Sequence, residues 1–368
     1  MEFLSLFIIS FSSIQLLIAF LNYIFVKYFE KSYLWKLSNA EKPLVSILIP
    51  ARNEENNIPL LLDSLIKQKY TNIEILVYDD LSTDRTRDIV CEFQTKDTRI
   101  KILPQQSLPK DWKGKNFACH TLSKYAKGKY LLFLDADVTV HDDFISKLVA
   151  FAQKEHLSLI SCFPEPITLT LGEKVTVPSV YYILLTLLPL PLVSKTKYPS
   201  ISAANGQCMF FDADDYFRHQ PHLVHRQSFV EDIEIARFFK KNQLRIMCLT
   251  GITNIKSRMY TNLQDAINGF SKNIVKILGN NYLTAFLFWI IVSFGFIPII
   301  LANHSKFLWL WLLQFFLVKT LVSLTIRQDI LLSIILAPIQ QFFIGIFIFK
   351  SLINKLTKKQ VWKGRNLY

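Results

Sequence analysis

An α/β domain with a doubly wound, mostly parallel sheet, carried between apolar segments at both ends of the chain, is the architecture this 368-residue sequence predicts. Three observations predict it. The apolar residues, 51% of the total, are concentrated in two blocks rather than spread evenly. Between the blocks, short apolar runs alternate with stretches of helical period. Acidic clusters recur where those runs end.

The first block, Phe3 to Val26, is uncharged and long enough to cross a bilayer at about 20 residues per span. Met1-Glu2 is no basic n-region, and no small-residue cleavage pattern accompanies Tyr28-Phe29-Glu30-Lys31, so residues 1–28 read as an uncleaved transmembrane anchor. The second block runs from Tyr282 to Phe349, with polar breaks at Asn303–Lys306 and Arg327–Asp329. It reads as C-terminal membrane segments over 282–350, ahead of a basic tail over 351–368. Gln314 and Lys319 make its middle segment the weakest crossing. The mixed-polarity stretch between the blocks, roughly 220–240 residues, suits one sizeable α/β domain, placed at 43–275.

The net charge of +13 raises the question of nucleic acid. Lys27, Lys31, Lys36 and Lys42 follow the first apolar block, however, and Lys355, Lys358, Lys359, Lys363 and Arg365 follow the last. That is where the positive-inside rule and anionic headgroups put them. With no basic-aromatic repeat or zinc-finger spacing, a membrane partner is favoured and a nucleic-acid partner excluded. Cys91, Cys119, Cys162, Cys208 and Cys248 are scattered with no C-x-x-C pair, as free thiols in a reducing compartment would be. Both features place the central domain on the cytoplasmic face of the cell membrane. Three full C-terminal crossings would then put the basic tail outside, so either one segment is re-entrant or interfacial, or fewer segments cross.

In chain order, Leu44–Ile49 is a buried strand bounded by prolines. Apolar positions at Ile58, Leu61, Leu62, Leu65 and Ile66 predict a helix over 54–68. A strand over 73–78 ends in Asp79-Asp80, a helix over 84–93 follows, and a strand lies at 100–103. The strand over 130–134 ends in Asp135-Ala136-Asp137, and another is expected at 157–163. Alternating strands and helices give a doubly wound parallel sheet, whose ligands sit at the carboxyl ends of its strands. Val180–Val193 is apolar but too short to span. A core helix and an interfacial segment leading a lipid towards a site both fit it.

Asp135 and Asp137, one residue apart at a strand end, can both reach one Mg²⁺ or Mn²⁺ and its diphosphate. An acidic turn before a helix near Asp142 would look the same. Asp79-Asp80 ends the second strand similarly, where a carboxylate accepts from a base N–H or a ribose hydroxyl, while Asp84 caps the next helix. Pro50-Ala51-Arg52-Asn53-Glu54-Glu55 ends the first. Carboxylates on three neighbouring strand ends repel unless a cation or hydrogen-bond donors lie among them, so the joint pattern marks a ligand site. His219, His222 and His225 recur every three residues, but Pro221 interrupts any helix and no further ligand completes a metal spacing. They read as a solvated loop, with His222 and Arg226 close enough in sequence to Glu231-Asp232 to serve the acceptor or the donor phosphates.

This ordered set resembles the inverting family 2 glycosyltransferases with the GT-A fold. The resemblance rests on Ile49–Glu55, Asp79–Asp84 and Asp135–Asp137, on Trp112-Lys113-Gly114-Lys115-Asn116, and on Val230-Glu231-Asp232-Ile233-Glu234, and covers about residues 44–270. It implies that Pro50, Ala51 and Glu54 line the nucleoside pocket and that Asp79 or Asp80 reads base and ribose. Lys115 would lie near the donor, Asp135 near ribose and metal, and Asp137 on the metal. Asp232 would be the base for an acceptor hydroxyl, although acids at a helix N-terminus are also favoured by the dipole. Glu231, Asn205, Gly206 and His222 would face the acceptor.

The Q-x-x-R-W motif of polymer-forming members is reduced to Arg258 within Ile255–Tyr260. Arg258 can still meet the diphosphate, but a polysaccharide synthase is disfavoured. Leu108–Lys115, Arg258-Met259-Tyr260 and Trp362-Lys363-Gly364-Arg365 are similar to the branch of carotenoid-acid (diaponeurosporenoate) glycosyltransferases and hopanoid-associated relatives. That implies a single transfer from a UDP-sugar to a membrane lipid. Polyprenyl-phosphate or sphingolipid acceptors, or a non-catalytic membrane partner on the same fold, are the alternatives.

Overall fold

The computed structural model describes residues 2–32, 42–250, 255–357, 361–362 and 365–366. Lys36, Lys358, Lys359 and Lys363 of the basic clusters lie outside the described residues. The chain divides into two compact units, one of Val26–Glu165 with Leu190–Ser257, the other of Met1–Phe25, Pro166–Pro189 and Arg258–Tyr368.

The strands are β1 (Val45–Ala51), β2 (Ile73–Asp79), β3 (Ile100–Ile102), β4 (Tyr130–Leu134), β5 (Val138–Val140), β6 (Leu159–Phe163), β7 (Glu165–Pro166), β8 (Cys208–Asp212), β9 (Ile246–Thr250) and β10 (Ile255–Ser257). The first unit is built on a seven-stranded sheet in the order β3-β2-β1-β4-β8-β6-β9. β1 runs parallel to β2 and β4, and β6 parallel to β9, while β8 lies antiparallel between β4 and β6. β1 reads as a continuous apolar run because both faces are covered, and Val45, Ile47, Leu48 and Ile49 are fully buried. The helix predicted over 54–68 occupies Ile58–Ile66. It begins late because Asn53 adopts a left-handed backbone and the chain turns through Glu54 before the helix starts. Its Ile58, Leu61, Leu62 and Leu65 have no exposed surface, each stabilising the unit by about 1.5–3 kcal/mol.

One register matters most. Leu134 at the end of β4 pairs with Cys208 at the start of β8. The antiparallel strand therefore begins at the edge where β1, β2 and β4 end, and delivers residues 205–207 there. β10 pairs antiparallel with β5, setting Ser257 opposite Val138, next in sequence to Asp137.

The helices Glu2–Glu30, most of which belongs to the second unit, and Ser305–Thr325 and Ala337–Thr357 of that unit are long and apolar enough to cross a membrane, with a shorter apolar helix at Tyr282–Phe294. Gln314 and Lys319, the residues that weaken the middle segment as a crossing, are 6% and 3% exposed and face inward. The run Val180–Val193 divides between a helix at Leu171–Leu187, which packs in this unit, and a short helix at Leu190–Lys195, which belongs to the sheet unit. Asn22 donates from its amide to the carbonyls of Leu185 (3.0 Å) and Leu188 (2.9 Å), closing the otherwise unpaired C-terminus of Leu171–Leu187. All five cysteines are free thiols, four of them buried.

Candidate active site

The carboxyl edge of the sheet gathers the acidic clusters. Ala51, Asp79 and Leu134 end β1, β2 and β4, and the Asp80 N–H donates to the Ala51 carbonyl at 2.8 Å. Asp79 and Asp80 are 1% and 5% exposed. Asp79 accepts from the Ser82 N–H at 3.2 Å and from the side-chain amide of Gln105. Arg52 donates to the carbonyls of Asp80 (2.6 Å) and Leu81 (3.0 Å), and Asp84 accepts from the N–H of Glu55 at 3.1 Å. The two loops that follow β1 and β2 are thus tied into one wall. Pro50 closes β1 beside Ala51, and Glu54 lies in the turn that follows, accepting from Asn57 at 2.8 Å.

Lys115, in the first turn of the helix Gly114–Tyr125, joins the remaining clusters. Its ammonium lies 2.7 Å from Asp135 Oδ1 and 2.8 Å from Oδ2, and 3.6 Å from Glu231. It also donates to the Gly206 carbonyl at 3.2 Å. Burial works against its charge, but the Asp135 and Glu231 carboxylates outweigh burial and hold its pKa above the usual lysine value. A Cβ at Gly206 would stand 2.9 Å from Lys115 Nζ and 3.3 Å from Glu231 Oε1, so a side chain there would push on the ends of both.

Glu231 and Asp232 open the helix Glu231–Lys241, where the dipole favours acids. Asp232 accepts from the N–H of Gly206 (3.0 Å) and of Ile233 (2.8 Å), which fixes its orientation. Burial raises its pKa, against the pull of the Ile233 N–H, Lys115 and the Gly206 N–H. Burial likewise pushes Glu231 up to about 7, opposed by Lys115 and reinforced by Asp232.

Asp137 is held differently. Gln207 donates from one amide nitrogen to both Asp137 oxygens, at 3.0 and 3.2 Å, and to Ser257 Oγ at 2.7 Å. Asn205 in turn accepts from the Gln207 N–H at 2.9 Å and donates to its side-chain oxygen at 3.3 Å. Burial, with the Asp135 and Glu54 carboxylates, pushes Asp137 up to about 7. A buried carboxylate with like charges around it and a neutral amide as its partner is the setting a divalent cation relieves. The oxygens of Asp137 and Asp135 are the hard donors Mg²⁺ or Mn²⁺ takes. The residues present therefore fit such a metal. The group His141, Asp142 and Asp143, of which the two carboxylates are half-buried, also has ligand spacing, but Asp142 pairs with Lys69 and Asp143 with Lys147, so both carboxylates have counter-ions already.

Two expected residues have partners of their own. Arg258 belongs to the helical unit, where its Nε donates to the fully buried Glu173 at 2.9 Å. His222 is not in a solvated loop. It is 2% exposed, packed among Phe133, Phe211 and Tyr216, with its Nδ1 2.8 Å from the Tyr216 hydroxyl. The loop reading fails because Pro221 begins a short helix, Pro221–Val224, instead of breaking one. Gln105 and Ser257 carried no sequence signal, since a lone amide or hydroxyl acquires its partner only through the fold.

Comparison with known proteins follows this geometry. Residues 46–194 match the family model described as glycosyl transferase family 2. A 4,4'-diaponeurosporenoate glycosyltransferase of Staphylococcus haemolyticus (strain JCSC1435) is 27% identical over 239 residues, 62% of this chain and 60% of that protein. The UDP-Glc:alpha-D-GlcNAc-diphosphoundecaprenol beta-1,3-glucosyltransferase WfgD of Escherichia coli is 45% identical over 94 residues, 26% of this chain and 35% of that protein. The chain thus spans 60% and 35% of the length of these relatives. Among solved structures, the mannosyltransferase PcManGT from Pyrobaculum calidifontis, in complex with GDP-Man and Mn2+, aligns over 94% of this chain and 99% of that one. The TM-score is 0.53 at 14% identity, a likeness of fold.

Proposed function

We propose, from the match of residues 46–194 to the glycosyl transferase family 2 model, that the protein is an inverting glycosyltransferase of that family. It moves a sugar from a UDP-sugar to a membrane lipid, on the cytoplasmic face of the cell membrane. The observation that carries the reading is the convergence of Asp79-Asp80, Asp135, Asp137, Lys115 and Glu231-Asp232 on one edge of one sheet.

Each group has a task there. Pro50, Ala51 and Glu54 flank the nucleoside, and Asp79 and Asp80 accept from the base and the ribose. Lys115 and Asp135 meet the donor beside its diphosphate. Asp137 and Asp135 would hold Mg²⁺ or Mn²⁺, which when bound stabilises the charge developing on the departing diphosphate. Asp232, oriented by the Gly206 and Ile233 N–H groups, takes the proton of an acceptor hydroxyl as it attacks the anomeric carbon in line. Glu231, Asn205 and Gly206 border that side of the site.

The diaponeurosporenoate relative supports a carotenoid-like acid as acceptor. A carboxylic acid is already ionised near neutral pH, so Asp232 then positions the acceptor and is not needed as a base. Asp232→Asn is expected to cost a hydroxyl acceptor far more than a carboxylate acceptor, and equal losses in kcat on both would contradict that role. The WfgD relative supports a second reading, a polyprenyl-diphosphate-linked sugar as acceptor.

The test is transfer in membranes containing the protein, with a panel of UDP-sugars, with and without Mn²⁺, alongside Asp137→Ala. A lipid-extractable product that requires both the metal and Asp137 supports the proposal, and its hydrolysis pattern separates an ester from a diphosphate linkage. Donor binding without transfer to any lipid would count against it.

A further inference from the structure

The helical unit contains a buried lysine to which no described residue supplies a counter-ion. Lys319 lies in the helix Ser305–Thr325, which is apolar enough to span a membrane, and is 3% exposed. Its ammonium donates to Gln340 Oε1 at 3.2 Å and stands over the rings of Tyr182, 4.5 Å from the centroid, and Phe315, at 5.9 Å. Among the described residues, no carboxylate pairs with it. Gln340 cannot readily exchange places, because its own amide donates to the Lys174 carbonyl at 3.0 Å and its backbone carbonyl accepts from Ser179 at 3.0 Å. The cation therefore sees one neutral oxygen and two ring faces.

A charged lysine within an apolar bundle costs several kcal/mol unless an opposite charge reaches it. Two further features accompany it. Gln341, next along the chain and 3% exposed, turns its buried amide towards the Tyr182 hydroxyl. Tyr182 and Phe315, whose rings face the ammonium, also border a cleft lined by Ile8, Phe11, Ile291 and Trp311 together with the polar Ser12 and Gln15. A cleft of mixed apolar and polar lining beside a buried lysine that has no carboxylate suits an anionic amphiphile's headgroup and first chain segment. Lys319 is six residues from the end of its helix at Thr325, about 9 Å along the axis at 1.5 Å per residue. That depth lies just beneath the headgroup layer of a bilayer.

We propose that Lys319, with Gln341 and the Tyr182–Phe315 rings, forms a binding site for the anionic headgroup of a membrane lipid, a carboxylate or a phosphodiester. The site is independent of sugar transfer and rests only on these helices lying in a bilayer.

The full chain is reconstituted in nanodiscs of dioleoylphosphatidylcholine containing a low mole fraction of either oleate or dioleoylphosphatidylglycerol, and retained lipid is counted by native mass spectrometry. The wild type should retain at least one of the two anionic probes about tenfold over its bulk fraction, equivalent to about 1.4 kcal/mol. Oleate alone assigns a carboxylate site, phosphatidylglycerol alone a phosphodiester site, and both a site reading charge. Lys319→Met should lower retention to the bulk value and Lys319→Arg should keep it. Lys319→Gln serves the same purpose if the methionine variant fails to fold. Enrichment of neither probe by the wild type, or unchanged enrichment in the neutral variants, overturns the proposal. Binding of UDP-sugars by the same variants should not change, so the fate of the transfer reading is scored separately.

Discussion

At the scale of single residues, the site is held by contacts no motif contains. Gly206 tests this directly. Gly206→Ala places a methyl group against the movable end of Lys115, so the protein should fold with a nearly unchanged melting temperature while kcat/KM falls about 10- to 100-fold, as expected when a charged partner is displaced by about an ångström. His222 supplies a second test. Burial, with Lys115, His120 and His225 adding to it, pushes its pKa down to about 3. Below the unfolded value near 6.5 the unfolded chain takes up a proton that the folded one refuses, so this contribution is present at neutral pH and lost as pH falls towards 3. Each pH unit in that window removes up to about 1.4 kcal/mol. The melting temperature of wild type minus that of His222→Phe should therefore fall between pH 6.5 and 4.5, and a flat difference would place His222 elsewhere. The acidic pairs were legible because carboxylates at strand ends need a stated reason to be there. The burial of His222 was not legible, since aromatic packing arises from residues such as Phe133 and Phe211, far apart in sequence.

At the scale of elements, the parallel strands β1, β2 and β4 could be seen as apolar runs ending in acids, and their boundaries fell within a residue or two of those expected. The antiparallel strand β8 could not, because nothing local in Cys208–Asp212 states its direction. That strand nonetheless carries Gln207 to Asp137, and β10 carries Ser257 to Gln207. Partners that orient a metal-ligating carboxylate typically govern affinity by 10- to 100-fold. Gln207→Leu should therefore raise the Mn²⁺ concentration for half-maximal transfer by about that factor while leaving kcat at saturating Mn²⁺ within severalfold. A loss of kcat with no change in metal requirement would show that Gln207 serves the substrate and not Asp137.

At the scale of the whole molecule, the N-terminal helix is more than a tether. Asn22, fully buried, closes two carbonyls at the end of Leu171–Leu187, and Gln15 donates to Thr186 at 3.2 Å. Asn22→Leu leaves those carbonyls unpaired, at about 1–3 kcal/mol each. The expected result is a lower melting temperature in nanodiscs with the apolar surface of the helix unchanged. The grouping of residues 166–189 with the terminal helices was hidden in the sequence, where they read as part of one continuous central domain. That grouping also constrains how the protein is made. All strands of the seven-stranded sheet have been synthesised by residue 250, whereas the helical unit waits for its last stretch, beginning at residue 258. During that interval the helix Leu171–Leu187 has only the N-terminal segment as a partner, so a nascent chain stalled between these points should depend on the insertion machinery or a chaperone to keep it from aggregating.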